Sequence, residues 1–278
     1  MTHHDLLRPI KIRGHADGFT LIEMIVVIVI TAILVGMVGM FIQRPVQGYY
    51  SGVMRAELTD VAGNSLERIS REVRLALPNS TRVDATGVAL EFIPSTAGGR
   101  YRTEGADKLD FTVADTSFDV LGPPVDIVAG QSIVVYNLGT GIIDSDAYVG
   151  NNRRLYAGAT GTVANVAITS AAAFPAANFS PPFRFHVVDQ PVTYVCSGNT
   201  LTRFTGYGFQ ASISTTPGGS STVIANNVSA CSFNYDSSLV ASRAGLVTMR
   251  LSLSETPAGG GGAETVSLFS AVHVDNLP

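Results

Sequence analysis

The stretch from Gly18 to Ile42, GFTLIEMIVVIVITAILVGMVGMFI, most constrains what this chain can fold into, and a single charge, Glu23, interrupts it near its start. At about 1.5 Å per residue, a helix from Phe19 to Ile42 is long enough to cross a hydrocarbon core of roughly 30 Å, more than a soluble core helix needs. A secretory signal peptide would have a shorter apolar region ending in small residues at an A-x-A-like site. No such site lies beyond Ile42, so the segment is expected to stay attached to the rest of the chain. A carboxylate inside such a run costs a few kcal/mol, depending on depth. Either Glu23 lies close enough to the headgroups to be hydrated or protonated, or it has a partner.

The letters around it bear on that choice. Gly18 followed by Phe19-Thr20-Leu21-Ile22-Glu23 and an unbroken apolar helix resembles the class III signal of type IV prepilins and the related pseudopilins. The resemblance implies that a membrane prepilin peptidase cuts between Gly18 and Phe19 on the cytoplasmic side and methylates the new amino terminus at Phe19. A cleavage site that must admit the backbone closely suits a residue with no Cβ, which makes Gly18 intelligible. The resemblance also gives Glu23 a partner, the charged amino group of Phe19 on a neighbouring subunit, since opposite charges in low dielectric attract strongly. Other major and minor pilins, met through the N-terminal helix, and an inner-membrane assembly platform are the partners it implies. Minor pseudopilins of type II secretion systems carry the same signal and are the alternative reading, with a membrane-anchored ligand-binding domain, whose N-terminus merely resembles the signal, as a further one. The stretch Gln43 to Arg82 and the ending Val272 to Pro278 are similar to minor prepilins of the mannose-sensitive haemagglutinin pilus system, an adhesive fimbrium.

Composition narrows the rest. Charged residues make up 14% of the chain and Trp is absent, whereas Gly, Ser, Thr, Asn and Ala are plentiful, which suits many short strands and long polar loops. A net charge of −4 argues against a nucleic-acid partner, because phosphate neutralisation needs clustered Lys and Arg. The local pair Arg153-Arg154 reads as a solvated loop. Two cysteines, Cys196 and Cys231, both beyond the apolar run, are the arithmetic of one disulfide. It would stabilise the fold by roughly 3 kcal/mol and persist only in an oxidising compartment. Two separate buried thiols are the alternative. Zinc is disfavoured, since neither Cys has a second Cys or His at ligand spacing.

The chain divides into four segments: a cytoplasmic leader over 1–18, a transmembrane and assembly helix over 19–42, an amphipathic continuation over 43–77, and a β-rich periplasmic or extracellular domain over 78–278. In the leader Arg8, Lys11 and Arg13 outweigh Asp5 and Asp17, which keeps that end in the cytoplasm; Arg44 and Arg55 weaken the asymmetry, so orientation rests partly on the resemblance. Apolar residues at Val46, Tyr50, Val53, Leu58, Val61, Leu66, Ile69, Val73 and Leu77 recur mostly every three to five positions, with Glu67 and Arg71 placed to pair on the polar side. Pro45 and the glycines around it predict a bend or partial melt, and Pro78-Asn79-Ser80 predicts the stop.

Beyond Val83 the signals are strands: 88–93, 108–113, 117–121, 132–136, 163–169, 183–188, 192–196, 200–207, 223–228, 231–235, 246–254 and 266–274. Ser197-Gly198-Asn199 is a tight turn, and Gly218 to Ser221 and Gly259 to Gly262 are hairpin connections rather than phosphate cradles. Short connections require antiparallel pairing. Val247, Met249, Leu251 and Leu253 alternate with Thr248, Arg250 and Ser252, so one face of that strand should lie on the amphipathic helix. The expected fold class is therefore α+β and pilin-like, a long N-terminal helix packed on an antiparallel β-rich domain. No G-x-S-x-G, no H-E-x-x-H and no Cys placed for nucleophilic catalysis occurs. We expect no enzyme and no cofactor, with His186 and His273 read as packed or surface imidazoles. Asp144-Ser145-Asp146 could offer oxygens to Ca²⁺ but lacks the rest of an EF-hand loop.

Overall fold

The structure, a computed structural model, describes residues 18–169, 172–240, 244–257 and 262–278, so the leader up to residue 17 and most of the Gly259 to Gly262 loop lie outside the described residues. The chain forms two compact units, Met1–Tyr50 and Ser51–Pro278. One α-helix, α1 (Leu21–Arg74), passes through both.

In the first unit the large apolar side chains of α1 from Leu21 to Ile42 are all exposed. A window of the helix reaches a mean hydropathy of 3.0 with none of it buried, so it is long and apolar enough to cross a membrane. The expected melt around Pro45 does not occur, and the helix runs on without a break. A proline removes one donor, its own, and the i→i−4 bonds of the residues on either side remain available to hold the turn.

The second unit begins with the rest of α1. Leu58, Ala62, Leu66, Ile69 and Val73 recur at intervals of three and four and are buried together with Leu90, Phe92, Val192 and Tyr194, and with Val247, Met249, Leu251 and Leu253. The apolar stripe therefore does pack on the sheets, but only from Met54 onward. Val46, Tyr50 and Val53, which continue its spacing, are exposed. Among the described residues the i,i+4 ion pair on the polar side is Arg68 with Glu72 (3.2 Å), whose carboxylate Arg203 (2.9 Å) also reaches, and not the exposed Glu67 with Arg71. The helix closes with a tightened turn, Leu75 N and Ala76 N donating to Glu72 O and Val73 O at 3.1 Å each. Arg71 and Arg74 lie in the last turn, where cations complement the helix dipole.

All strand pairs are antiparallel. The first sheet has the order β1 (Arg82–Val83), β2 (Ala89–Phe92), β11 (Val192–Ser197), β12 (Thr200–Thr205), β13 (Ser220–Ala225). The second has β3 (Ser95–Arg100), β10 (Arg184–Val188), β6 (Ser132–Val135), β7 (Arg153–Leu155). The third joins β14 (Val228–Val240), β15 (Ala244–Glu255) and β16 (Glu264–Asp275). Two ribbons complete the domain, β4 (Ser117–Asp119) with β9 (Asn165–Ala167) and β5 (Val125–Ile127) with β8 (Gly161–Val163). The α+β class, with a long apolar N-terminal helix followed by antiparallel sheets, is thus as the sequence indicates.

Local differences have local causes. Residues 108–113 form no strand, because side chains capture the backbone first: Asp110 accepts from Thr112 N (2.8 Å) and Asp115 from Asp110 N (3.0 Å). The run 163–169 divides into β8 and β9 around Ala164. Strand β3 has no sequence signal, since STAGGR is poor in strand formers. Its glycines let it approach β10, for a Cβ on Gly99 would meet the Phe185 ring at 3.0 Å and one on Gly98 would meet Phe185 O at 3.0 Å.

His186, on β10, is half-buried, with its Nε2 buried and without a hydrogen-bond partner. Burial first, and then the Arg184 guanidinium, pull its pKa down to about 4, with Asp275 opposing. The unfolded chain takes up this proton near the ordinary value of 6.5 while the folded chain remains neutral. The stability this site supports is therefore complete above pH 6.5 and is lost as pH falls from about 6.5 to about 4, by roughly 2–3 kcal/mol. Denaturant melts of wild type and His186→Gln at pH 7.5 and pH 4.5 should show a smaller acid loss in the variant. Equal losses in the two proteins would show that His186 does not set the acid sensitivity.

Candidate functional site

The signal that organises the sequence is also locally well defined. Gly18, Phe19 and Thr20 precede the first helical turn, and a Cβ added at Gly18 would meet nothing within 4 Å. The Gly18–Phe19 peptide is thus exposed in a non-helical segment, the geometry a peptidase needs. Phe19 is 75% exposed. Thr20 is the N-cap: its carbonyl accepts the first helical bond from Met24 N (3.2 Å), and its Oγ1 accepts from Glu23 N at 3.3 Å. Thr20-Leu21-Ile22-Glu23 thereby has the spacing of a capping box, with Glu23 at its third helical position. A carboxylate there is favoured by the helix dipole at the N-terminus. Sequence reading misses this cap although its signal, a Thr three residues before a Glu at the head of an apolar run, is present. Further along, Thr31 disposes of its hydroxyl by donating to Val27 O at 2.7 Å.

Cys196 on β11 and Cys231 on β14 are joined in a disulfide with Cα atoms 6.2 Å apart, tying the first sheet to the third. Of the two readings of the cysteine pair, the structure has the bridge.

Arg153 and Arg154 are not a solvated loop. They lie on β7, and each guanidinium covers an aromatic face, Arg153 over Phe209 at 3.4 Å and Arg154 over Phe174 at 4.3 Å. Arg154 donates to Asn151 O (2.9 Å), Arg153 O (2.8 Å) and Ala173 O (2.9 Å). Burial holds the Arg153 pKa down to about 10, with Asp146 opposing. Both line a cleft of about 860 Å³ beside Ser132, Asn151 and Gln190. So many carbonyl acceptors make Arg154 a clamp on its own loops rather than a free anion receptor.

Asp144 and Asp146 do not converge on a cation position. Asp146 is buried and accepts from Gly141 N and Tyr148 N at 2.9 Å each, while Asp144 accepts from Asn151 Nδ2 at 3.1 Å. Both carboxylates are committed to holding their loop, and among the described residues no group of three or more His, Cys, Asp or Glu side chains is placed to hold a metal. His273 is exposed on β16, away from any such group.

A family model described as the prokaryotic N-terminal methylation motif matches residues 13–39, the stretch that contains Gly18, Phe19, Thr20 and Glu23. No curated protein and no solved structure matches the chain. The motif supports a type IV pilin- or pseudopilin-like protein, and among the described residues one N-terminal helix is long and apolar enough to anchor such a protein in a membrane. Processing by a prepilin peptidase and contacts between pilin subunits are implied by the same motif.

Proposed function

We propose that this chain is a minor type IV pilin, made as a prepilin, cut between Gly18 and Phe19, methylated at Phe19, and built into a pilus through its apolar helix. The observation that carries this reading is the methylation motif on an exposed, non-helical Gly18–Phe19 peptide followed by an apolar helix with no cover. Glu23 is the docking residue, pairing with the amino terminus of a neighbouring subunit. The minor role, in priming assembly or at the tip, rests on the likeness of residues 43–82 and of the C-terminal end to the O component of the mannose-sensitive haemagglutinin system, MshO. The folded domain lies on the periplasmic side before assembly and on the cell surface after it. A disulfide supports that side, since such bonds persist in oxidising compartments. The chain works as a structural subunit and catalyses no reaction.

Glu23→Leu tests this. An anchor would be indifferent to losing the charge, and by transfer scales the change even favours membrane insertion. A subunit that docks through the carboxylate should keep its membrane level and its cleavage but lose incorporation, or lower the number of fibres if it primes assembly. In a strain carrying only the mutant copy, fibre yield and subunit content are measured alongside the membrane fraction, with the amino terminus read by mass spectrometry. Wild-type fibres containing wild-type amounts of the mutant would rule out a docking role for Glu23, and chains beginning only at Met1 would count against the prepilin reading.

A further inference from the structure

We infer that Thr20 is a positioning residue for the cut itself, resting on the prepilin reading proposed above: by capping α1 it keeps the Gly18 carbonyl, half of the scissile peptide, out of the helix and free for the peptidase.

The donors at this end can be followed one by one. Met24 N donates to Thr20 O at 3.2 Å, the first i→i−4 bond of α1. Glu23 N comes one residue earlier, and its i→i−4 acceptor would be Phe19 O. It donates instead to the Thr20 hydroxyl at 3.3 Å, and the helix accordingly begins at Leu21. The donor before that, Ile22 N, has Gly18 O as its i→i−4 acceptor. A helix grown backwards by these two bonds would engage the carbonyl of the very bond to be cut. Among the described residues no donor reaches Gly18 O or Phe19 O.

The surroundings favour such growth. The large apolar side chains of α1 are exposed from Leu21 to Ile42, and at the edge of a hydrocarbon layer a backbone N–H with no acceptor is strongly disfavoured. Glu23 N would then turn to Phe19 O, and Ile22 N to Gly18 O, unless a side chain took the first of these donors. Thr20 takes it. A peptidase needs the bond held in one place, with its carbonyl oxygen open to donors aimed at it. Gly18 and Phe19 lie outside the helix, as that requires. That an enzyme works at this end comes from an independent observation, the methylation motif over residues 13–39.

The test measures kcat/KM for cleavage of the full-length chain, in detergent micelles, by the prepilin peptidase of its native cell. Thr20→Val, Thr20→Ser and Thr20→Asn are compared with the wild type. Val keeps the shape of Thr and removes the acceptor, whereas Ser and Asn are strong caps of other shapes. The expected result is a fall of about fivefold in Thr20→Val, the typical contribution of such a cap, about 1 kcal/mol, expressed as a rate ratio. Thr20→Ser and Thr20→Asn should be cleaved nearly as fast as the wild type. With isotopic labels at the Gly carbonyls and the Phe amides, NMR reports on the Gly18–Phe19 peptide. Its carbonyl shift should move towards the helical value in Thr20→Val alone.

Thr20→Val cleaved as fast as the wild type would overturn the positioning role and leave the prepilin reading standing. Thr20→Asn as slow as Thr20→Val would also overturn it, since the enzyme would then be reading the hydroxyl directly. Slow cleavage of Thr20→Val with an unmoved Gly18 carbonyl shift would do the same. Wild-type chain left whole by an active peptidase would overturn both the role and the reading.

Discussion

Glu91→Ala should be the most damaging single substitution in the folded domain, lowering its stability by about 3–5 kcal/mol, the cost of leaving a buried charge without its partner. Arg82 is 8% exposed and Glu91 1% exposed. Arg82 Nε donates to Glu91 Oε2 at 2.5 Å, while its other two nitrogens donate to Ala211 O and Gln210 O at 2.8 Å each. The guanidinium also lies 3.5 Å from the centre of the Tyr148 ring, and Tyr148 donates to Ser80 O at 2.8 Å. On the other side of the carboxylate, Tyr207 donates to Glu91 Oε1 at 2.8 Å and Thr193 donates at 3.2 Å. Burial first, and then the Glu91 charge, hold the Tyr207 phenol above its ordinary range, so it stays a donor. One ion pair thus fastens the first sheet, the 207–211 segment and the loop carrying Tyr148.

Truncating Glu91 leaves the guanidinium charge with only the Ala211 and Gln210 carbonyls as acceptors, and leaves Thr193 and Tyr207 with only their bond to each other (2.5 Å). Truncating both ends is different, because an apolar pair of similar volume often recovers what a buried salt bridge contributes. Urea melts should therefore show a large drop in midpoint for Glu91→Ala, a smaller one for Glu91→Gln, which keeps an acceptor, and substantial recovery in Arg82→Met with Glu91→Leu. A Glu91→Ala protein within about 1 kcal/mol of wild type would mean that water reaches the guanidinium, and the clamp would have to be given up.

That cluster marks where reading the sequence stops. The run 88–93 is legible only as a strand, and nothing in Ala89-Leu90-Glu91-Phe92 shows that the charged Glu91 is buried with its three apolar neighbours. What covers Glu91 comes from Tyr207 and Thr193, far along the chain, and no local pattern announces a long-range partner. Arg153 and Arg154 read as a solvated pair for the same reason, since Phe209 and Phe174, which their guanidinium groups cover, lie far from them in sequence.

Where the signal is periodic it survives. The Val247 to Leu253 alternation and the α1 stripe from Leu58 to Val73 meet in one core, because each pattern fixes which face must leave water. Its extension back to Val46 does not, as periodicity states which face is apolar and not how far the covering surface reaches. The N-terminal signal is legible for a third reason. Gly18, Phe19 and Glu23 are recognised as a linear string, so their meaning needs no fold, and the capping spacing of Thr20, present in the same string, is overlooked rather than hidden.

Removing the disulfide, as Cys196→Ala with Cys231→Ala, should cost about 3–4 kcal/mol in the chain-entropy model for a loop of this size. The cysteines are 35 residues apart, and the loop between them contains β12, β13 and the turns that join them. Opening it frees the unfolded chain, while the folded chain keeps the half-buried positions beside the main core. Reduction of the wild type should give the same loss as the double substitution, since both remove the same constraint. A double variant that melts with the wild type would show that the unfolded chain is already held compact without the bond. The compartment is tested by the same residues. Non-reducing peptide mapping of protein exported in its native cell should recover Cys196 joined to Cys231, and two free thiols there would overturn the periplasmic placement, because that placement and the bond require the same oxidising environment.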